Sequence, residues 1–199
     1  SPFYGVNFLI KNLVDRILSL FFLFLLAPII ILASILIVFQ DGFPILFKQK
    51  RTGWDGKSFV IYKLRSLIKS SGVNEDTQVK SGDRRVTTIG AILRRFSIDE
   101  LPQFINVLKG DMSIVGPRPH PLGQIKHFST EIVNFMQRHK CQPGLTGWAQ
   151  VNGLRGPKNE SQMDKRFQYD LYYIKNWNLM LDLYIIIRTF FVILFQKVD

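Results

Sequence analysis

Asp99 and Glu100 stand side by side in Ser97-Ile98-Asp99-Glu100-Leu101-Pro102, in a chain where basic side chains outnumber acidic ones. An ionised aspartate can attack phosphorus and form an acyl phosphate. The adjacent glutamate points in another direction and suits a divalent cation. Magnesium is the natural one, since it takes one or two carboxylates plus phosphate oxygens. The same residues have a purely structural reading. Ser-x-x-Glu is a capping box, and acidic side chains favour a helix start. Pro102 moves that start towards Leu101. Either way both carboxylates lie at or just ahead of a helix N-terminus, where the dipole lowers a carboxyl pKa and keeps it ionised.

The cations that would serve such a pair are concentrated. Residues 48–95 hold 12 Lys or Arg and 4 Asp or Glu, net +8 of the chain's +11. That balance calls for anionic partners: nucleic acid, a phospholipid surface or a phosphorylated substrate. Attraction to anionic headgroups, about 1 kcal/mol per basic residue, fits Lys48, Lys50 and Arg51. Lys63 and Arg65 follow an apolar strand and share a face at i, i+2. Arg94 lies five residues ahead of Asp99. Arg118 sits within Val115–Pro121, where three prolines alternate with other residues and hold the chain extended. An arginine on a rigid base favours bidentate capture of phosphate. No aromatic–basic interleaving of the kind that binds single-stranded nucleic acid is present. Lys63, Arg65, Arg94 and Arg118 therefore point to a diphosphate.

These groups need elements to position them. With 199 residues the chain fits one domain of ordinary size, and 47% apolar residues exclude a disordered protein. The lone cysteine, Cys141, permits no intrachain disulfide, and with three scattered histidines it argues against zinc. His120, His127 and His139 read as loop and helix-surface residues. The first residue is Ser1, which suggests a trimmed or processed piece of something longer.

From Ile17 to Phe39 there is no charge. As an unbroken helix those residues would reach roughly 35 Å, enough to cross a hydrocarbon core. The run is too long for the apolar region of a signal peptide. Ala27-Pro28 lies at its middle, where proline removes a helix hydrogen bond. Lys11 and Arg16 flank it on one side, Lys48, Lys50 and Arg51 on the other. A spanning helix should carry its excess of Lys and Arg on one side. The symmetry favours a re-entrant helix broken at Ala27-Pro28, with both ends on the cytoplasmic side, over a kinked helix that spans. A second apolar concentration, Leu179 to Phe195, contains Asp182 and Arg188. It suits a helix lying in the membrane interface, with a buried core helix as the alternative.

Between them, Asp41-Gly42, Gly53 and Asp55-Gly56 bracket two apolar stretches, which predicts a β-hairpin over residues 41–67. Residues 68–83 read as a polar, mobile loop. Helices are expected over Ile89–Phe96, Leu101–Leu108, Gly123–His139 and from Asp164 onward, with a turn at Pro143–Gly147. The expected fold is mostly α with a small β-hairpin. A monotopic membrane segment (residues 1–40) is integrated with a cytoplasmic catalytic part (residues 41–199) that ends in an amphipathic interfacial helix.

The motifs together resemble the bacterial sugar transferase family, the monotopic polyprenyl-phosphate phosphoglycosyl transferases, nearly end to end. The resemblance is carried by Lys11-x-x-x-Asp15, the Pro28-broken run, Phe47-Lys48-Gln49-x-Arg51-x-Gly53 and Tyr62-Lys63-Leu64-Arg65-Ser66. It continues through Ser97–Gln103, Asn106–Ser113, Gly116-Pro117-Arg118-Pro119 and Pro143–Gly153. It implies transfer of a sugar phosphate from a nucleotide sugar, usually a UDP-sugar, to undecaprenyl phosphate in the bacterial cytoplasmic membrane. Such a step begins assembly of a surface glycan such as exopolysaccharide, capsule or O-antigen. By the same resemblance Asp99 is the nucleophile, Glu100 binds Mg²⁺, UMP leaves, and the N-terminal helix is re-entrant. The ending resembles the longer hexose-phosphate transferases, which carry extra N-terminal membrane helices and make a homodimer reasonable. Three departures stand out: Asn12 follows Lys11 where the family often has Arg, Ala27 replaces the usual Ser before Pro28, and Arg155 follows Leu154 where some members place arginine one position earlier. The rival readings are a non-catalytic membrane scaffold of the same fold and a peripheral module that binds anionic lipid. A third is direct attack by the lipid phosphate, with Asp99 only holding metal.

Overall fold

The computed structural model describes residues 5–68, 82–123, 135–155 and 160–195. Its first element is a single 36-residue helix, α1 (Val6–Asp41), about 54 Å long at 1.5 Å per residue. The helix continues through Ala27-Pro28, where the sequence reading expects a break. Proline removes one intrahelical bond, and here both halves of the helix are held from outside. Lys11, Asp15 and Ser19 are buried in the first half, Ala33 and Ile37 in the second. Much of the remaining surface of α1 is apolar and outward, including Phe21, Phe24 and Phe39.

An antiparallel hairpin follows, β1 (Leu46–Thr52) and β2 (Ser58–Leu64), in register from Leu46↔Leu64 to Thr52↔Ser58. Its connection places both Asp55 and Gly56 at positive φ, 54° and 74°, a conformation that Asp and Gly adopt most readily. α2 (Thr88–Arg95) is capped by Thr87, whose hydroxyl accepts from Gly90 N at 2.8 Å. A 3-10 turn over Ile98–Gln103 then leads into α3 (Phe104–Lys109), which ends on Gly110 at φ 85°.

The segment Pro143–Gly147, expected as a turn, contains a strand. β3 (Ser113–Val115) and β4 (Gly144–Thr146) pair in parallel, Ser113 with Gly144 and Val115 with Thr146. Gly144 serves close approach: a Cβ there would lie 2.1 Å from Gly116 N. Short helix α4 (Trp148–Val151) and the longer α5 (Glu160–Asn176) and α6 (Leu179–Phe195) complete the order. α5 starts ahead of the expected Asp164. Most of the polar 68–83 stretch, His127 and most of the helix expected over Gly123–His139 lie outside the described residues; Phe135–Lys140 forms a 3-10 helix.

One core gathers Phe104, Val107, Met112, Ile114, Val115, Cys141, Val151, Tyr173 and Ile185, with Phe22 and Leu26 of α1 packed against it. A second joins Ala33 and Ile37 of α1 to Leu64 and Leu93. α6 is not the fully buried helix of the alternative reading. Its inner face is Asp182 and Ile185, while Met180, Phe191 and Phe195 are exposed.

Polar contacts fasten α1 to this body. Lys11 Nζ donates to Asp182 Oδ2 at 2.6 Å, and Asp182 also accepts from Tyr173 at 2.7 Å and Trp177 at 2.9 Å. One turn on, Asp15 accepts from the Ser113 hydroxyl at 2.7 Å. Removing one member of a buried ion pair leaves the other charge uncompensated and costs about 3–5 kcal/mol. Lys11→Met should therefore lower the unfolding temperature more than the double variant Lys11→Met/Asp182→Leu. Thermal unfolding of both in one detergent checks this ordering.

Candidate active site

The turn that carries the acidic pair is made sharp by Ser97, a non-glycine residue at φ 56°, ψ 23°. α2 ends at Arg95, the chain reverses, and Glu100 N donates to Ser97 O at 3.2 Å. Asp99 and Glu100 thus occupy the first 3-10 turn and are both buried, 6% and 8% exposed. The turn packs against β2, α1 and α2. The capping box does not form: Ser97 makes no side-chain cap, and its hydroxyl accepts from Arg155 Nη2. The carboxylate of Glu100 turns to cations instead.

Arg118 grips Glu100 with both terminal nitrogens, Nη1 donating to Oε2 at 3.0 Å and Nη2 to Oε1. Lys63, near the end of β2, donates to Oε1 at 2.8 Å. The proline segment that carries Arg118 is braced in turn. Arg51 Nη1 donates to Pro119 O at 3.0 Å, and Arg138 Nη2 donates to Arg118 O at 2.8 Å. Arg51 is therefore turned inward, bonded also to Gln49, rather than presented to headgroups as expected; Lys48 and Lys50 are exposed.

Of the four predicted phosphate ligands, the structure brings together Lys63, Arg94 and Arg118. Arg94 acts on Asp99 by charge alone. Arg65 lies apart: its Nη2 donates to Gly42 O at 2.7 Å, at the far end of α1. Same-face spacing from Lys63 does not help it, because β2 ends at Leu64. Arg155 joins the site, and the sequence reading had not placed it there. Its charge reaches both Glu100 and Asp99. The one signal for it was its shift by one position from the family's arginine.

Burial, then the neighbouring Glu100, pushes the Asp99 pKa up to about 6, against the pull of Lys63, Arg94 and Arg118. This reverses the lowering expected from a helix dipole, because a buried carboxylate beside another carboxylate resists ionisation. Burial also disfavours the charge on Glu100, but Arg118 and Lys63 outweigh it and hold its carboxyl well below the usual range. Two adjacent carboxyls are thus driven apart, a pattern of functional sites.

The pair offers the hard oxygen donors that magnesium takes. Among the described residues no group of three or more His, Cys, Asp or Glu could hold a metal. A magnesium ion at this pair would complete its shell with phosphate oxygens and water, and Glu100 would release part of its grip on Lys63 and Arg118 to bind it.

The family model for bacterial sugar transferases matches residues 6–196. The chain is 42% identical over 192 residues to the UDP-glucose:undecaprenyl-phosphate glucose-1-phosphate transferase of Escherichia coli K12, covering 96% of this chain and 41% of that protein. It is 38% identical over 190 residues to the UDP-N-acetylgalactosamine-undecaprenyl-phosphate N-acetylgalactosaminephosphotransferase of Aeromonas hydrophila, covering 95% and 44%. The exopolysaccharide production protein PSS of Rhizobium leguminosarum is 41% identical over 192 residues, covering 92% and 94%. The chain thus spans about two fifths of the length of the first two relatives.

A raised folded-state pKa means that the folded protein gains a proton more readily than the unfolded chain. Asp99 therefore weighs fully against stability above about pH 6, and that penalty fades as pH falls through the unfolded value of 3.8 and is absent once both states are protonated, at about pH 3. Asp99→Asn should raise the unfolding temperature at pH 8, by the equivalent of about 1–3 kcal/mol, with the gain vanishing at about pH 3. Thermal unfolding at the two pH values decides it; an unchanged or lower temperature at pH 8 contradicts the burial of an ionised Asp99.

Proposed function

The chain belongs to the bacterial sugar transferase family, and from that premise we propose that it transfers a sugar 1-phosphate from a nucleotide sugar of the UDP-hexose class to undecaprenyl phosphate. The observation that carries this reading is the division of labour between two adjacent carboxyls. Glu100 is pinned by Lys63 and Arg118, while the Asp99 carboxyl accepts no hydrogen bond among the described residues and its pKa is raised to about 6, close enough to neutrality to be readily ionised at pH 7.

In this scheme Lys63, Arg94 and Arg118 receive the donor diphosphate. Asp99 Oδ attacks the sugar-linked phosphorus, the bond from that phosphorus to the bridging oxygen breaks, and UMP leaves with the electron pair. The sugar phosphate remains on Asp99 as an acyl phosphate. A phosphate oxygen of the lipid then attacks the same phosphorus, the bond to Asp99 breaks, and the carboxylate is restored as the lipid diphosphate sugar departs. The guanidinium groups stabilise charge on the equatorial oxygens, and their fixed positions limit reorganisation. Magnesium, when bound at Glu100 and the diphosphate, supplies further neutralisation of that charge.

The membrane placement belongs to the same proposal. Both halves of α1 pack on one body, which speaks for a re-entrant placement with both ends on the cytoplasmic face over a helix that crosses. α6, apolar on its outer side, lies in the interface beside it. α1 and residues 41–199 then act as one unit. The acidic pair, the cations around it and the family match speak against a scaffold that only binds lipid.

The test is UMP release from a panel of UDP-sugars by the full chain in lipid, with Mg²⁺ and undecaprenyl phosphate. Release with one or a few sugars is expected, and Asp99→Asn should lose at least 10³-fold of it, about 4 kcal/mol of barrier. Release that persists in Asp99→Asn would rule out Asp99 as nucleophile.

A further inference from the structure

A cavity of about 130 Å³ lies between the acidic pair and the two outward-facing helices. Phe22 and Leu26 of α1 line one side, Ile186, Phe190 and Ile193 of α6 the other. At its inner end are Glu100, Ser97, Arg155 and Gln150. The lining thus joins apolar side chains of α1 and α6 to polar ones beside the acidic pair.

The inner end holds two unsatisfied groups of opposite character. Arg155 spends Nη2 on the Ser97 hydroxyl, and its buried Nη1 has no partner. Gln150 spends its amide nitrogen on Leu145 O at 3.2 Å, and its buried Oε1 has no partner. A buried donor or acceptor left alone is costly, so such groups mark a place where a ligand completes the bonding. A cationic donor beside a neutral acceptor matches a phosphate monoester, which near neutrality carries both O⁻ and OH. The two threonines in the lining, Thr146 and Thr189, already satisfy each other at 2.8 Å.

We propose that this cavity receives the phosphate-proximal end of an isoprenoid phosphate lipid, with Arg155 binding its phosphate. The inference deepens the reading above and rests on it for the lipid's role as acceptor. The cavity is too small for a long polyprenyl chain. The remaining isoprene units lie along the exposed apolar surfaces of α1 and α6, with which the lining is continuous through Phe190. Entry from the bilayer then delivers the lipid phosphate on the side of Glu100 that faces Arg155, apart from Lys63. The donor diphosphate and the acceptor phosphate approach the acidic pair from different sides, and Arg155 is the cation that belongs to the acceptor.

The experiment is equilibrium binding of a short-chain polyprenyl phosphate and of the matching polyprenol to the full chain, with no nucleotide sugar present. The wild-type protein should bind the phosphate at least 10-fold tighter than the alcohol. Arg155→Gln should remove most of that difference, Arg155→Lys should restore most of it, and Ile193→Trp, which fills the cavity, should weaken both ligands at least 10-fold. Variants are compared at matched unfolding temperature, and Ile193→Trp stands in if Arg155→Gln fails to fold. Equal preference for phosphate in wild type and Arg155→Gln, or unchanged binding in Ile193→Trp, overturns the proposal. Because no donor is present, either outcome is independent of whether Asp99 forms an acyl phosphate.

Discussion

Two neighbouring carboxyls buried in one turn cannot both be ionised without help, and the site is arranged around that constraint. Charge at Glu100 is bought with a bidentate arginine and a lysine, leaving Asp99 with burial and a negative neighbour. Every larger element then has a task. The hairpin ends where it can present Lys63, and the proline segment gives Arg118 a fixed base. Arg51 and Arg138 hold that base from behind. Ser97 at positive φ turns the chain so that both carboxyls face inward. Arg118 supplies the largest of the interactions that keep Glu100 ionised, with Lys63 next.

Much of this was legible where the signal is local. The apolar run foretold α1, the Asp55-Gly56 turn foretold the hairpin, and the bounds of α6 coincide with the apolar stretch Leu179 to Phe195. The acidic pair was visible because two carboxyls beside clustered cations are unusual in any reading. Side-chain direction was less legible, since it is set by tertiary partners. Arg65 and Lys63 sit two residues apart, yet one meets Gly42 O and the other Glu100. Arg51, expected to face lipid, braces Pro119. Pro143-Gly144 reads as a turn because glycine usually supplies positive φ. Here it is needed for space, with Gly116 against it in a parallel pairing no local pattern announces. The capping box failed for a similar reason: an arginine distant in sequence took the Ser97 hydroxyl.

The buried polar contacts of α1 set its register on the body. An apolar helix packed by dispersion alone could slide by a turn, since one row of Leu and Ile resembles the next. Lys11 on Asp182 and Asp15 on Ser113 remove that freedom, because a slip would leave buried charges unpaired. The same contacts tie α1 to α6 and β3, so the two outward apolar faces and the acidic turn keep a fixed relation. The proposed function, with one substrate from water and one from the bilayer, depends on that relation.

The central claim is that Asp99 itself becomes bonded to the sugar phosphate before the lipid takes part. Intact-protein mass spectrometry after mixing the full chain with Mg²⁺ and a competent nucleotide sugar, without lipid, tests it most directly. The account predicts a mass increase equal to one sugar phosphate that maps to the Asp99 peptide and disappears when undecaprenyl phosphate is added. An unmodified mass, from protein that releases UMP only when the lipid is present, would contradict it.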